Sequence, residues 1–328
     1  MAAATYPLFH LNAFIGCSEA SSFEHSAYPA EAEIPSSPLY LQEKVDAVFK
    51  REIQALLPFN PSMRKEEMRE RYMLLQDEKW RECIDGRDAP HGKYTYDMGF
   101  HRGKTGDVEP GYIANMERAM EFICENITEP LTPEFYLKIH SIACAHFARA
   151  DSDDFTICKP EEIGRFRTIQ VGMLLMRDPP VDEEALLELQ ALDERVGSAF
   201  VKMIDSRQVQ LVYRECKTEE EMLERFTKVL NAYHRDIGKA VSASQKLYVI
   251  GRFFRHCQWL HTTTDGSGRL DVAVLNMLLV QNGLHPVIMD NPYLSSTQSF
   301  TEWMATLQKG LYQWQIVAMR KHRTFKTS

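Results

Sequence analysis

His261-Thr-Thr-Thr-Asp265-Gly266-Ser267-Gly268-Arg269 breaks a long helical pattern with two close glycines and a run of hydroxyl side chains. Apolar residues at helical spacing lead into it from Ser242 to about Leu260. They resume from about Gly268 to Asn282, and Gly283 then stops the pattern. The stretch therefore reads as a tight loop between two helices. Gly266 and Gly268 let backbone amides close on an anion, at the positive N-terminal end of the second helix. Arg269, in the first turn, offers two parallel hydrogen bonds to phosphate oxygens. Asp265 offers the hard oxygen that Mg²⁺ prefers when it is shared with substrate phosphates. His261 is suited to accept a proton from an attacking hydroxyl. A plain polar turn, with Asp265 as a cap and the glycines for tight geometry, is the alternative on local pattern alone.

Outward from the loop, helical periodicity covers Tyr112 to about Ile127, Thr132 to about Phe147, Asp182 to about Phe200, Thr218 to about Ala240 and Ser299 to about Lys321. Thr132-Pro133 and Thr218-Glu-Glu-Glu221 carry helix-start signals. Ile163-Gly-Arg-Phe-Arg-Thr-Ile-Gln-Val171 differs, with β-branched and aromatic residues around a glycine, and predicts a short strand or hairpin. Two further helices are predicted nearer the N-terminus, over Leu41 to Leu57 and after Pro61. Residues 1–40 read as an irregular arm, and Asp85 to Gly111 as a long loop. The fold class is mainly α.

Composition narrows the function. The 328 residues carry 46 acidic against 38 basic side chains, a formal net charge of −8, which disfavours a nucleic-acid backbone as partner. No apolar run is long enough to span a membrane, and no secretory signal pattern is evident. Seven cysteines without a CxxC pair fit a reducing cytoplasm. Cys144 follows His140 by four residues, and Cys257 precedes His261 by four. Each pair shares a helix face and has metal-ligand spacing, but both cysteines lie in apolar helices and read as buried thiols. Trp259, Trp303 and Trp314 read as core residues.

The loop resembles the signature of the Fic (Fic/Doc) family, His-x-Phe-x-Asp/Glu-Gly-Asn-Gly-Arg-x-x-Arg, between two helices. His261, Asp265, Gly266, Gly268 and Arg269 match. The resemblance extends to Tyr112–Ala119 and Ile139-His140, which are similar to the first helices of the Fic core, and to Gly164–Val171, which is similar to its target-clamping β-hairpin flap. It implies a Fic-like helical bundle over residues 105–328, with 1–40 an arm and 41–104 accessory helices and loop. It implies transfer of AMP, another nucleotide, phosphocholine or phosphate from a nucleotide-type donor to a hydroxyl of a target protein. In that scheme His261 is the base, Asp265 the Mg²⁺ ligand, and Gly266, Ser267, Gly268 and Arg269 the diphosphate cradle. Arg167, Thr168, Ile169, Gln170 and Val171 position the acceptor. A Fic-fold glycosyltransferase using a nucleotide sugar, and an inactive interaction protein, are the alternatives. A cytoplasmic protein, or an effector delivered into a host cell, fits the family. Thr262, Thr263 and Ser267 replace the usual Pro, Phe and Asn, and Val272 replaces the second arginine, which removes the cation that holds the distal phosphates of a triphosphate. Thr105 to Glu109 has the spacing of the family's inhibitory helix, broken by Pro110.

Overall fold

A computed structural model describes residues 59–73, 112–145, 159–169, 171–176, 182–203, 208–289 and 292–324. The N-terminal arm, the helix predicted over Leu41 to Leu57, the 85–111 loop with Thr105–Glu109, and Gln170 lie outside the described residues. In chain order the helices are α1 (Lys65–Met73), α2 (Tyr112–Glu125), α3 (Pro133–Ala143), α4 (Glu183–Val196), α5 (Glu219–Ile237), α6 (Ala243–Leu260), α7 (Ser267–Gln281) and α8 (Phe300–Thr324). The strands are β1 (Gly172–Met176), β2 (Ala199–Met203) and β3 (Gln208–Tyr213), and single 3₁₀ turns occupy Pro160–Glu162 and Pro292–Ser296. The chain is mainly helical.

The helix that follows the loop is the centre of the molecule. Twelve of the 15 residues of α7 are buried, the mark of a helix that is surrounded rather than amphipathic. Helices α1, α3 and α6 pack on it, α5 packs on the far side of α6, and α8 closes over α6. There Trp303 donates from its indole to the Gly251 carbonyl at 3.1 Å. Trp259, Trp303 and Trp314 are core residues, as their helical spacing predicts.

Helix ends follow local chemistry. The Thr132 hydroxyl accepts from the Phe135 amide at 3.1 Å, with Pro133 in the first turn. Thr218 caps Glu221 in the same way at 3.3 Å, but the Glu221 carboxylate reaches the Lys217 amide rather than closing a box on Thr218. Ser242 and Gln245 form the full reciprocal box that starts α6. Gly283, at φ +82°, ends α7 in the left-handed region, and the Leu284 amide bonds back to Leu279 at 2.9 Å.

The β structure lies elsewhere than the sequence predicts. Residues 163–169 form turns and irregular chain, and the first strand begins at Gly172. The α4 helix stops at Gly197, left-handed at φ +71°, rather than continuing to Phe200, and the chain turns directly into β2. A three-stranded antiparallel sheet in the order β1-β3-β2 results, with Met173 opposite Leu211 and Val201 opposite Leu211 on either side. β3 carries the period-2 alternation of Val209, Leu211 and Tyr213 against Gln208 and Gln210. The segment from Gly197 to Tyr213 is too short and turn-punctuated to show that alternation clearly beside the long helices.

Candidate active site

His261 is the C-cap of α6. It adopts a left-handed backbone, φ 45° and ψ 70°, with its amide bonded to the Cys257 carbonyl. Among the described residues it alone has positive φ without being glycine. That conformation costs roughly 1–2 kcal/mol in an L-residue, and neighbours hold it. The imidazole stacks on the Tyr213 ring at the end of β3, centroids 4.5 Å apart and planes 21° apart. The Arg167 guanidinium donates to the carbonyls of His261 (2.5 Å), Leu260 (3.1 Å), Ile169 (2.7 Å) and Arg214 (3.0 Å). Burial, and then the Arg167 charge, push the His261 pKa down to about 3, so the ring is neutral at physiological pH. The residue as a whole remains half-buried, with some surface open at the loop.

The next four residues close on themselves. Thr263 donates from its hydroxyl to the Asp265 carbonyl at 2.9 Å and meets the Ser267 hydroxyl at 2.7 Å, while the Thr263 amide donates to the Ser267 hydroxyl at 3.3 Å. The Thr263 and Ser267 departures from the Fic pattern are thus bonded to each other. Asp265 accepts the Gly266 amide on Oδ1 at 2.6 Å. Gly266 is the left-handed N-cap of α7, φ 74°, with no side chain to cap the helix. Ser267, Gly268 and Arg269 form the first turn of α7, the positive end of the helix, which favours an anion.

Underneath, α3 presents a stripe at i, i+4 and i+8. Tyr136 contacts the Thr262 hydroxyl at 2.8 Å and donates to Asp271 Oδ1 at 2.6 Å. His140 bonds the Asp265 carbonyl through Nε2 at 2.9 Å and accepts the Gly164 amide on Nδ1 at 2.9 Å. Cys144 lies where a Cβ on Gly266 would fall. The sequence shows that His140 and Cys144 share a face. The structure gives that face to the loop: both ring nitrogens of His140 are used for backbone hydrogen bonds, and burial pushes the Cys257 thiol of the second pair well up.

Asp271 is buried one turn into α7, between the Tyr136 hydroxyl and Gln258, whose amide donates at 2.6 Å. Burial raises its pKa from 3.8 to about 7, and the hydrogen bonds from Tyr136 and Gln258 oppose the rise. A raised acid stabilises the folded state while protonated, and that stability is lost as pH rises from about 4 through 7. Asp271→Asn does not titrate. Its stability is therefore expected to gain on that of the wild type between pH 5 and pH 8, by roughly 2–3 kcal/mol. Parallel pH profiles in thermal unfolding would contradict this.

The predicted site residues divide. His261, Asp265, Gly266, Ser267, Gly268 and Arg269 share one loop and helix start, and Arg269 is half-buried there. The Ser267 hydroxyl is buried and turned into the loop, so what Ser267 can offer a phosphate is its amide. The Arg167 side chain is turned inward: it is 1% exposed, and burial lowers its pKa to about 10. Thr168 is exposed, and Ile169 and Val171 are half-buried. Val171 already pairs through its carbonyl with the Tyr213 amide at 3.1 Å. Arg167→Met would leave four carbonyls without this donor. It is expected to cost at least about 3 kcal/mol in denaturant-induced unfolding. A loss under about 1 kcal/mol would show that the guanidinium does not hold the loop. Val272 is 1% exposed and packs in the core.

A resident metal cage is not what the side chains offer: among the described residues no three His, Cys, Asp or Glu converge. One carboxylate beside a helix N-terminus is the kind of arrangement that Mg²⁺ shares with substrate phosphates.

No family model matches the chain. Over 99 residues, 30% of the chain, it is 28% identical to the phosphocholine transferase AnkX of Legionella pneumophila, and the match covers 10% of that protein. A structure of a Fic domain containing signaling protein from Bacteroides thetaiotaomicron covers 84% of the chain and 97% of its own, at TM-score 0.47 and 11% identity. A single-substitution variant of Fic-1 from C. elegans covers 87% and 76%, at TM-score 0.46 and 14% identity. The chain is similar to Fic-domain proteins. The contacts of Tyr213, Tyr136 and His140 with the loop escape a reading of the sequence because each reaches it from a distant part of the chain. Asp271 escapes it because nothing beside it in sequence marks the hydroxyl and the amide that hold it. Among the described residues, no helix is long and apolar enough to cross a membrane.

Proposed function

We propose that this chain is a divergent Fic-type transferase. It moves a phosphate-containing group from a diphosphate-containing donor to a hydroxyl side chain of a target protein. The observation that carries the reading is the union, within nine residues, of a neutral imidazole, a carboxylate, an arginine and the N-terminal end of a buried helix. A substrate hydroxyl oxygen attacks phosphorus as the bond to the departing phosphate breaks. The electron pair leaves with that phosphate, and the hydroxyl proton passes to His261. The amides of Ser267, Gly268 and Arg269, with the Arg269 guanidinium, steady the negative charge. Asp265 would hold Mg²⁺, which would neutralise the donor phosphates.

Val272 in the core leaves no cation at the family's second arginine position, which favours a donor with two phosphates over a triphosphate. The similarity to a phosphocholine transferase makes a nucleoside-diphosphate-linked phosphocholine the first donor to try. The test is a panel of radiolabelled ATP, UTP, CDP-choline and nucleotide sugars, incubated with a cell lysate and wild-type or His261→Ala protein. His261-dependent label on protein from a phosphate donor supports the reading. Label from a nucleotide sugar alone would move it to glycosyl transfer, and no label from any donor would remove both.

A further inference from the structure

We infer that His140 is a positioning residue that couples the two halves of the site, resting on the transferase reading for what the site binds. The imidazole is fully buried in α3. Its Nδ1 accepts the Gly164 amide, at the start of the 164–171 segment, which fixes Nδ1 as unprotonated. The ring proton then lies on Nε2 and is donated to the Asp265 carbonyl. One neutral tautomer therefore holds both chain segments, and the reverse tautomer satisfies neither.

The Asp265 carbonyl is a sensitive place to hold. It belongs to the peptide whose amide is Gly266 N, the group that Asp265 Oδ1 accepts. The direction of that peptide sets where the Asp265 carboxylate points and where α7 begins. Thr263 supplies a second donor to the same carbonyl, so the oxygen is pinned from both sides. Gly266 rests on Cys144 and on the His140 ring itself, leaving the loop no room to settle toward α3. The segment 164–169 is in turn tied to the loop by the Arg167 amide on the Thr262 carbonyl at 3.0 Å. A ring that fixes Gly164 and Asp265 together thus sets the distance between the donor-binding loop and the chain that approaches it from the sheet.

The test uses His140→Phe, which keeps a planar ring of similar size without either hydrogen bond, and His140→Gln, whose carboxamide can donate and accept at nearly the same places. Ile139→Val is the control for mild core loss on the same helix. Calorimetric titration with Mg²⁺ and inorganic pyrophosphate is expected to show roughly ten-fold weaker binding in His140→Phe, partial recovery in His140→Gln, and wild-type affinity in Ile139→Val. Wild-type affinity in His140→Phe, or an equal loss in Ile139→Val, would overturn the proposal. Where His140→Phe does not melt cooperatively, or the wild type binds no pyrophosphate, amide NMR of His140→Gln decides. The second case sinks the transferase reading and not the positioning role. The Gly164 and Gly266 resonances must both move, and movement at Gly164 alone overturns the coupling.

Discussion

Replacing His261 with alanine is expected to lower protein-directed transfer by roughly 10²–10⁴-fold, the usual contribution of a positioned general base. Stability should change little. The backbone stays left-handed in either residue, Arg167 bonds the main-chain carbonyl rather than the ring, and the Tyr213 stack is worth about 1 kcal/mol. A variant that melts near the wild-type temperature and does not transfer separates chemistry from folding. The pH profile adds a second check. An imidazole of ordinary pKa would impose an acid-side fall in kcat/KM near pH 6.5, whereas His261 is held at about 3 in the free protein. The fall attributable to His261 is therefore expected well below pH 6.5, and a limb centred there that His261 alone explains would contradict the neutral, packed ring.

Gly266→Ala is expected to cripple the site through geometry. The left-handed backbone costs an alanine about 1 kcal/mol, and its Cβ would overlap the Cys144 sulfur, so either the loop or α3 must shift. A displacement of about 1 Å at a positioned site costs on the order of 10²-fold in rate. Cys144→Ala in the same chain removes the sulfur but not the strained φ. The double variant should therefore recover part of the activity and of the melting temperature. No recovery would mean that backbone strain alone accounts for the defect.

Much of this was legible in the sequence, for reasons that particular residues show. The helices around the loop announce themselves because their apolar periods are long and their ends carry Thr132-Pro133, Thr218, Ser242 and Gly283. The loop was legible because its chemistry is contiguous. The Arg167 clasp was not legible because a surface flap and a buried clasp can present the same β-branched and aromatic texture, and only tertiary placement shows four carbonyls converging on the guanidinium. Asp271 and the hold of His140 on the loop escaped for a related reason. A charged or titratable side chain inside an apolar helix has no local signature of the hydroxyl, amide or carbonyl that will satisfy it. The Thr263 and Ser267 departures, which the sequence shows only as replacements, form a bonded pair in space.

The most direct test of the account follows the amides of Ser267, Gly268 and Arg269 by NMR while inorganic pyrophosphate is added with and without Mg²⁺. All three are expected to shift together and saturably, with the Gly266 amide moving as Asp265 is drawn from it, and with tighter binding when Mg²⁺ is present. Resonances that stay fixed at millimolar pyrophosphate, while the rest of the spectrum shows a folded protein, would contradict the loop as a phosphate site.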